Sequence, residues 1–126
     1  MDENQISQII LDAAIEVHRT LGGPGLLESI YRDALCLEVG SRGVEVEREK
    51  LIPVVYKGHV MSAPLRLDSL AGKKVIVECK AVALHNPIFE SQLLTYLRLT
   101  GLKLGLVINF GQRLVKHGTH RVANGL

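Results

Sequence analysis

Apolar residues recur at Ile6, Ile9, Ile10, Ala13, Val17 and Leu21, a spacing that puts one stripe on a helix. It predicts an amphipathic helix over Gln5–Leu21, with Asp2 or Asn4 as its cap. His18 falls near the C-terminal end, where it reads as an exposed histidine favoured by the helix dipole. Gly22-Gly23-Pro24-Gly25 breaks the chain, and a second helix is expected from about Leu26 to Val39, ending at Gly40 or near Gly43. Over Val44–Lys57 charged and apolar residues alternate, predicting a long strand whose first half is exposed and whose Pro53 marks an edge or a bulge. After Lys57-Gly58, His59–Leu67 is expected to return as an antiparallel second strand. Val75–Val82 reads as a third, buried on at least one face. A third helix over Ile88–Thr100 stops at Gly101, and the continuous apolar run Leu104–Phe110 has the pattern of a central strand covered on both faces. Gly111–Leu126 carries Gln112, Arg113, Lys116, His117, His120 and Arg121 without an acid. It is expected to be strand-like in its first half and loose at its end.

Two charges interrupt the third strand. Glu78 and Lys80 share a face, roughly 7 Å apart by the strand repeat, while Val77, Cys79 and Ala81 face the other way. A tight turn at Ala71-Gly72-Lys73 would make a hairpin that returns Asp68 beside Glu78. The candidate site is therefore two carboxylates and one ammonium. Glu28 and Tyr31 project from one side of the second helix near its N-terminal end, where a carboxylate is already favoured by the helix dipole. Either that structural role or a place in the acid cluster accounts for Glu28. Gln92 and Tyr96 stand one turn apart on the third helix, either as rim residues or as walls of the same cluster.

Composition narrows the class. The 126 residues are 47% hydrophobic and 22% charged, with three Tyr, two Phe and no Trp, so a core of one domain must be mainly aliphatic. Fifteen Lys and Arg against thirteen Asp and Glu leave a formal charge of +2, too small to argue nucleic-acid binding by itself. Cys36 and Cys79 fit no zinc spacing and read as small hydrophobes in a reducing compartment. No basic n-region precedes an apolar run and no stretch has membrane-spanning length, so the expectation is a soluble cytoplasmic protein. The mixed charges of Glu45, Glu47, Arg48, Glu49 and Lys50 read as a solvated strand face. His117 and His120, without a third ligand nearby in sequence, read as surface histidines.

Two carboxylates beside a lysine suit phosphodiester cleavage. Hard oxygen ligands from Asp68 and Glu78 can hold Mg²⁺, with Mn²⁺ as the alternative, and Lys80 can orient a water or balance charge developing at phosphorus. The competing structural reading is a buried Glu78–Lys80 ion pair with Asp68 as a turn residue, a costly arrangement without a function.

The motifs in order are Gly25-Leu26-Leu27-Glu28-Ser29-Ile30-Tyr31, Arg66-Leu67-Asp68, Val75-Ile76-Val77-Glu78-Cys79-Lys80-Ala81-Val82, Gln92-Leu93-Leu94-Thr95-Tyr96-Leu97 and Gly105-Leu106-Val107-Ile108-Asn109-Phe110. From about Leu11 to Phe110 the chain resembles the GxxExxY family of the PD-(D/E)XK nuclease superfamily. The resemblance implies an α/β, restriction-endonuclease-like fold: an αβββαβ core with a central mixed sheet flanked by helices and an extra N-terminal helix. Chain length and the residue pattern add the expectation of one such domain over residues 1–126, with residues 1–24 as helix and Gly-rich turn and 111–126 as basic tail. The resemblance further implies Asp68 and Glu78 as metal ligands, Lys80 as catalytic lysine, Glu28 as accessory acid, and Gln92 with Tyr96 as supporting or phosphate-binding residues. The implied cofactor is Mg²⁺ and the implied partner nucleic acid, DNA in preference to RNA. No Pro precedes Asp68, and Phe89 stands where many members carry His.

Two alternatives keep the fold without the reaction. One is a binding module touching phosphate through Lys73, Lys74, Arg113, Lys116 and Arg121. The other is an interaction protein whose apolar helix faces form a homodimer.

Overall fold

Asp2 caps the first helix, α1 (Glu3–Thr20), in a reciprocal arrangement. Its carboxylate accepts from the Gln5 amide at 2.8 Å, and the Gln5 side chain accepts from the Asp2 amide at 2.9 Å. Ile6, Ile10, Ala13, Ala14 and Val17 form the buried stripe, as their spacing requires. The second helix, α2 (Glu28–Ser41), begins two residues later than the sequence pattern placed it, so Glu28 is its first residue. The strands are β1 (Val46–Ile52), β2 (Val55–Tyr56), β3 (His59–Val60), β4 (Leu65–Ala71) and β5 (Val75–Lys80). After them come α3 (Ile88–Thr100), β6 (Leu104–Asn109), a 3-10 turn (Val115–Gly118) and β7 (Thr119–Ala123). These assignments come from a computed structural model describing residues 1–126.

Five strands form one mixed sheet in the order β1-β4-β5-β6-β7, with only β5 and β6 parallel. α3 connects that parallel pair, as a parallel connection demands. One face carries the larger core, where α1 and α2 pack through Ile10, Tyr31 and Leu35 against Val75, Val77, Leu106 and Phe110. The other carries α3, whose Leu93 and Leu97 meet Ile76 and Val107. This is the expected α/β, restriction-endonuclease-like architecture with an extra N-terminal helix. β7 adds a fifth strand to the αβββαβ core.

Three expectations are corrected. The first two strands do not pair along Val44–Lys57 and His59–Leu67. Instead β2 and β3 form a separate small hairpin, and the partner of β1 is Leu65–Ala71, in a register with Ile52 opposite Leu65 and Val46 opposite Ala71. The paired run thus starts just after Pro64, where the missing amide hydrogen no longer interrupts a ladder. In the tail, the first half is irregular and turned, and the strand lies in Thr119–Ala123 along β6. Only Val122 of that strand is buried, so no alternation announced it.

His18, expected on the surface, is buried. Its Nε2 lies 3.0 Å from the Phe110 carbonyl oxygen, at the end of β6, and its ring packs beside Tyr31 and Phe110. The expected turn between β4 and β5 does form. Gly72 and Lys73 take φ of +59° and +60°, and the Lys74 amide returns to the Ala71 carbonyl at 3.1 Å, the geometry of a twist-matched hairpin. A side chain at Gly72 would also run into Ile6 of α1. Cys36 and Cys79 are both free and buried. Glu49 and Arg66 pair across exposed β1 and β4 positions, in keeping with a solvated charged face. No helix is long and apolar enough to cross a membrane.

Candidate active site

The β4–β5 ladder holds through Ser69 opposite Val77, then opens. On the other side of β4, regular pairing skips Asp68, and Glu49 facing the gap takes φ +51°. Where the backbones part, the side chains take over. The Cys79 amide donates to Asp68 Oδ2 at 3.1 Å, and the Asp68 amide donates to Glu78 Oε2 at a long 3.4 Å. The two carboxyl groups thus fill a gap between strands and are brought together as the hairpin predicted.

Glu78 is 8% exposed, and its Oε1 is buried with no hydrogen-bond partner. Burial, then the charge of Asp68 beside it, pushes its pKa up to about 9, with Lys80 opposing only weakly. No ion pair joins Glu78 to Lys80. The Lys80 ammonium sits over the Phe89 ring, 4.6 Å from its centroid. The purely structural reading of the strand charges as a buried salt bridge therefore does not hold. What remains is an acid pair with an unmet buried oxygen, which a cation bound by hard oxygen ligands fits.

Arg32, which the sequence reading passed over, links the cluster to α2. Its Nη1 lies 3.7 Å from both Glu28 Oε2 and Asp68 Oδ1. Glu28 is thereby held toward the acid pair, though not in contact with it. The i, i+4 spacing of Glu28 and Arg32 was the available signal. Tyr31 points inward. Its hydroxyl donates to the Gly23 carbonyl at 2.6 Å and accepts from the Leu26 amide at 3.1 Å, and its ring stacks on Phe110 at 4.8 Å. It ties the Gly-rich loop to the core and so fixes where α2 starts.

α3 supplies the opposite wall. Tyr96 is half-buried, and its pKa is raised by burial and then by the nearby charges of Glu78 and Asp68; Gln92 beside it acts in the opposite direction. Gln92 itself is exposed. The helix can approach this closely because a Cβ at Gly105 would fall 2.8 Å from Leu93; only glycine leaves that seat free. Asn109, fully buried at the end of β6, clasps the segment after β5. Its Oδ1 accepts from Val82 and Gly111, and its Nδ2 donates to the Val82 carbonyl at 3.0 Å.

The basic residues named for phosphate contact do not ring the acids. Lys73 and Lys74 lie at the turn of the hairpin, about 20 Å along β5 from Lys80. Arg113 and Lys116 line a recess with Arg19, against α1.

A mixed five-stranded sheet with α1 and α2 on one face and α3 on the other, carrying an acid pair where two central strands part, defines a nuclease-like α/β protein. The chain belongs to the PD-(D/E)XK nuclease superfamily, whose sequence pattern matches residues 4–122. The crystal structure of SSO0001 is similar in fold, with a TM-score of 0.50 at 17% sequence identity over 96% of this chain and 79% of that one. No curated protein matches the chain.

Proposed function

We propose that this chain is a divalent-metal-dependent nuclease of the GxxExxY type, one domain acting on nucleic-acid phosphodiesters, DNA in preference to RNA. The observation that carries the reading is the Glu78 carboxyl group, buried against Asp68 with Oε1 unpartnered while Lys80 stands apart. Asp68 and Glu78 would hold Mg²⁺, or Mn²⁺ in its place. Bound there, the ion supplies Lewis-acid polarisation of the phosphate and acidifies a water. Lys80 leaves the Phe89 face at a cost of about 1 kcal/mol, and its ammonium orients the attacking water or balances charge at phosphorus. The Tyr96 hydroxyl and the Gln92 amide donate to phosphate oxygens from α3. Glu28, held by Arg32, adds negative charge at the α2 side of the site.

The test is purified protein with single- and double-stranded DNA and RNA, in Mg²⁺, Mn²⁺ or EDTA. Cleavage should need the metal and fall at least 100-fold in Lys80→Ala. Equal cleavage by Lys80→Ala, or none on any substrate, ends the catalytic reading.

One observation supports a second reading. Arg19, Arg113 and Lys116 share a recess away from the acids, which suits phosphate contact without chemistry. Binding through it should weaken steeply with salt and survive loss of Asp68 and Glu78. A homodimer through apolar helix faces would appear as twice the chain mass in solution.

A further inference from the structure

His120 on β7 stands opposite Val107 on β6, and Val107 stands opposite Glu78 on β5. Glu78 and His120 therefore share one row on one face of the sheet, about 10 Å apart across two strand spacings. Over His120 the loop after β5 and the first turn of α3 bring two more donors. The His85 ring stacks on the His120 ring at 3.8 Å, tilted 21°, and His85 Nε2 lies 2.5 Å from Glu90 Oε1. One ligand atom from each of the three residues lies within 4.8 Å of the other two. His85 Nδ1 is buried with no partner, so hydrogen bonding within the cluster leaves part of the ring unsatisfied.

We propose that His85, Glu90 and His120 form a second metal site, for a transition ion of the zinc class. Two imidazoles and one carboxylate are a donor set that Zn²⁺ takes with an open fourth position, whereas Mg²⁺ prefers oxygen and keeps its waters. Around Zn²⁺, with bonds of ~2.0–2.1 Å, ligand atoms stand ~3.3 Å apart. Reaching that geometry requires the stacked His85 and His120 rings to turn out of parallel so that their in-plane nitrogen lone pairs converge, and none of the three residues is fully buried. Phe89 lies between this site and Lys80, meeting His85 edge-on at 5.8 Å and the Lys80 ammonium at 4.6 Å. Because the three ligands come from a loop, a helix start and an edge strand, the ion would cross-link them and fix the first turn of α3, which carries Phe89.

The experiment is calorimetric titration of the untagged chain with Zn²⁺ in the absence of Mg²⁺, paired with Co²⁺ absorption as a report of nitrogen ligation. One ion per chain is expected. His120→Ala and His120→Gln should each weaken it at least 100-fold and Glu90→Gln at least tenfold, while Asp68→Asn with Glu78→Gln leaves it within threefold. Absence of Zn²⁺ binding, or equal binding by both folded His120 variants, overturns the site. Loss of the ion in the Asp68→Asn, Glu78→Gln protein overturns it too, by assigning the ion to the acid pair. None of these readouts depends on nuclease activity.

Discussion

Asp68 gives its backbone amide to the Glu78 carboxyl group at 3.4 Å, while its own carboxylate takes the amide of Cys79 at 3.1 Å. Each strand thus completes its backbone pairing with an acid from the other. Burial and the Asp68 amide keep the Glu78 group away from solvent, and its second oxygen stays unpaired. Such an arrangement opposes folding on its own, as sites shaped for a ligand commonly do.

The opposition has a pH signature. Glu78 keeps its proton in the folded chain up to about 9, against 4.5 when unfolded. Below pH 4.5 both states hold the proton. Between 4.5 and 9 only the folded state does, so unfolding releases it and stability falls as pH rises through that window, by at most ~1.4 kcal/mol per unit. Glu78→Gln removes this slope. In EDTA at pH 8 the variant should be more stable than wild type, by at most ~5 kcal/mol, the gap closing toward pH 4.5. Urea melts across that range check it; parallel stability curves would contradict the buried-acid account.

Arg32 places positive charge 3.7 Å from both Glu28 and Asp68. A guanidinium there would compete with a metal bound at the proposed Asp68–Glu78 site for the same field. Arg32→Ala should therefore bind Mg²⁺ about two- to tenfold more tightly, while the partly exposed ion pairs contribute at most ~1 kcal/mol to folding. Titration calorimetry on the Lys80→Ala background separates binding from turnover. Weaker Mg²⁺ binding would instead make Arg32 an orienting support for Asp68.

The hairpin and its acids were legible because two local rules agreed. Alternation set Glu78 and Lys80 on one face, and the Gly72-Lys73 turn set the distance back to Asp68. The boundaries of β1 to β4 were not, because Val54 to Val60 has the composition of a strand but pairs only with itself in β2 and β3. His18 and Asn109 were misread or passed over for a different reason. Their partners are backbone groups at Phe110, Val82 and Gly111, and main-chain acceptors leave no mark in a sequence. The His85, Glu90 and His120 cluster was hidden by the same remoteness, since its third member arrives by the β6–β7 register.

Gly105 tests how closely α3 must sit. A methyl group there would meet Leu93 at 2.8 Å, so Gly105→Ala must push α3 outward or force Leu93 off its rotamer. Overpacking of this kind costs about 1–3 kcal/mol. Denaturant unfolding should register that loss, and cleavage at a temperature where the variant is fully folded should fall several-fold, because Gln92 and Tyr96 ride on the displaced helix. Unchanged stability would mean that Leu93 has room to turn.

Tyr31 separates a scaffold role from a chemical one. Its hydroxyl bridges the Gly23 carbonyl and the Leu26 amide, and the ring stacks on Phe110. Tyr31→Phe keeps the stacking and removes only the bridge, leaving two backbone groups of the Gly-rich loop without their partner. The expected loss is about 1–2 kcal/mol of stability. Faster hydrogen exchange should be confined to the Gly22–Leu26 loop and the start of α2. Metal binding by Asp68 and Glu78 should be unaltered, because Tyr31 touches neither. A large loss of cleavage in a fully folded Tyr31→Phe, with Mg²⁺ affinity intact, would show instead that the start of α2 must be held rigid for Glu28 to act, and would move Tyr31 from the scaffold to the positioning of that acid.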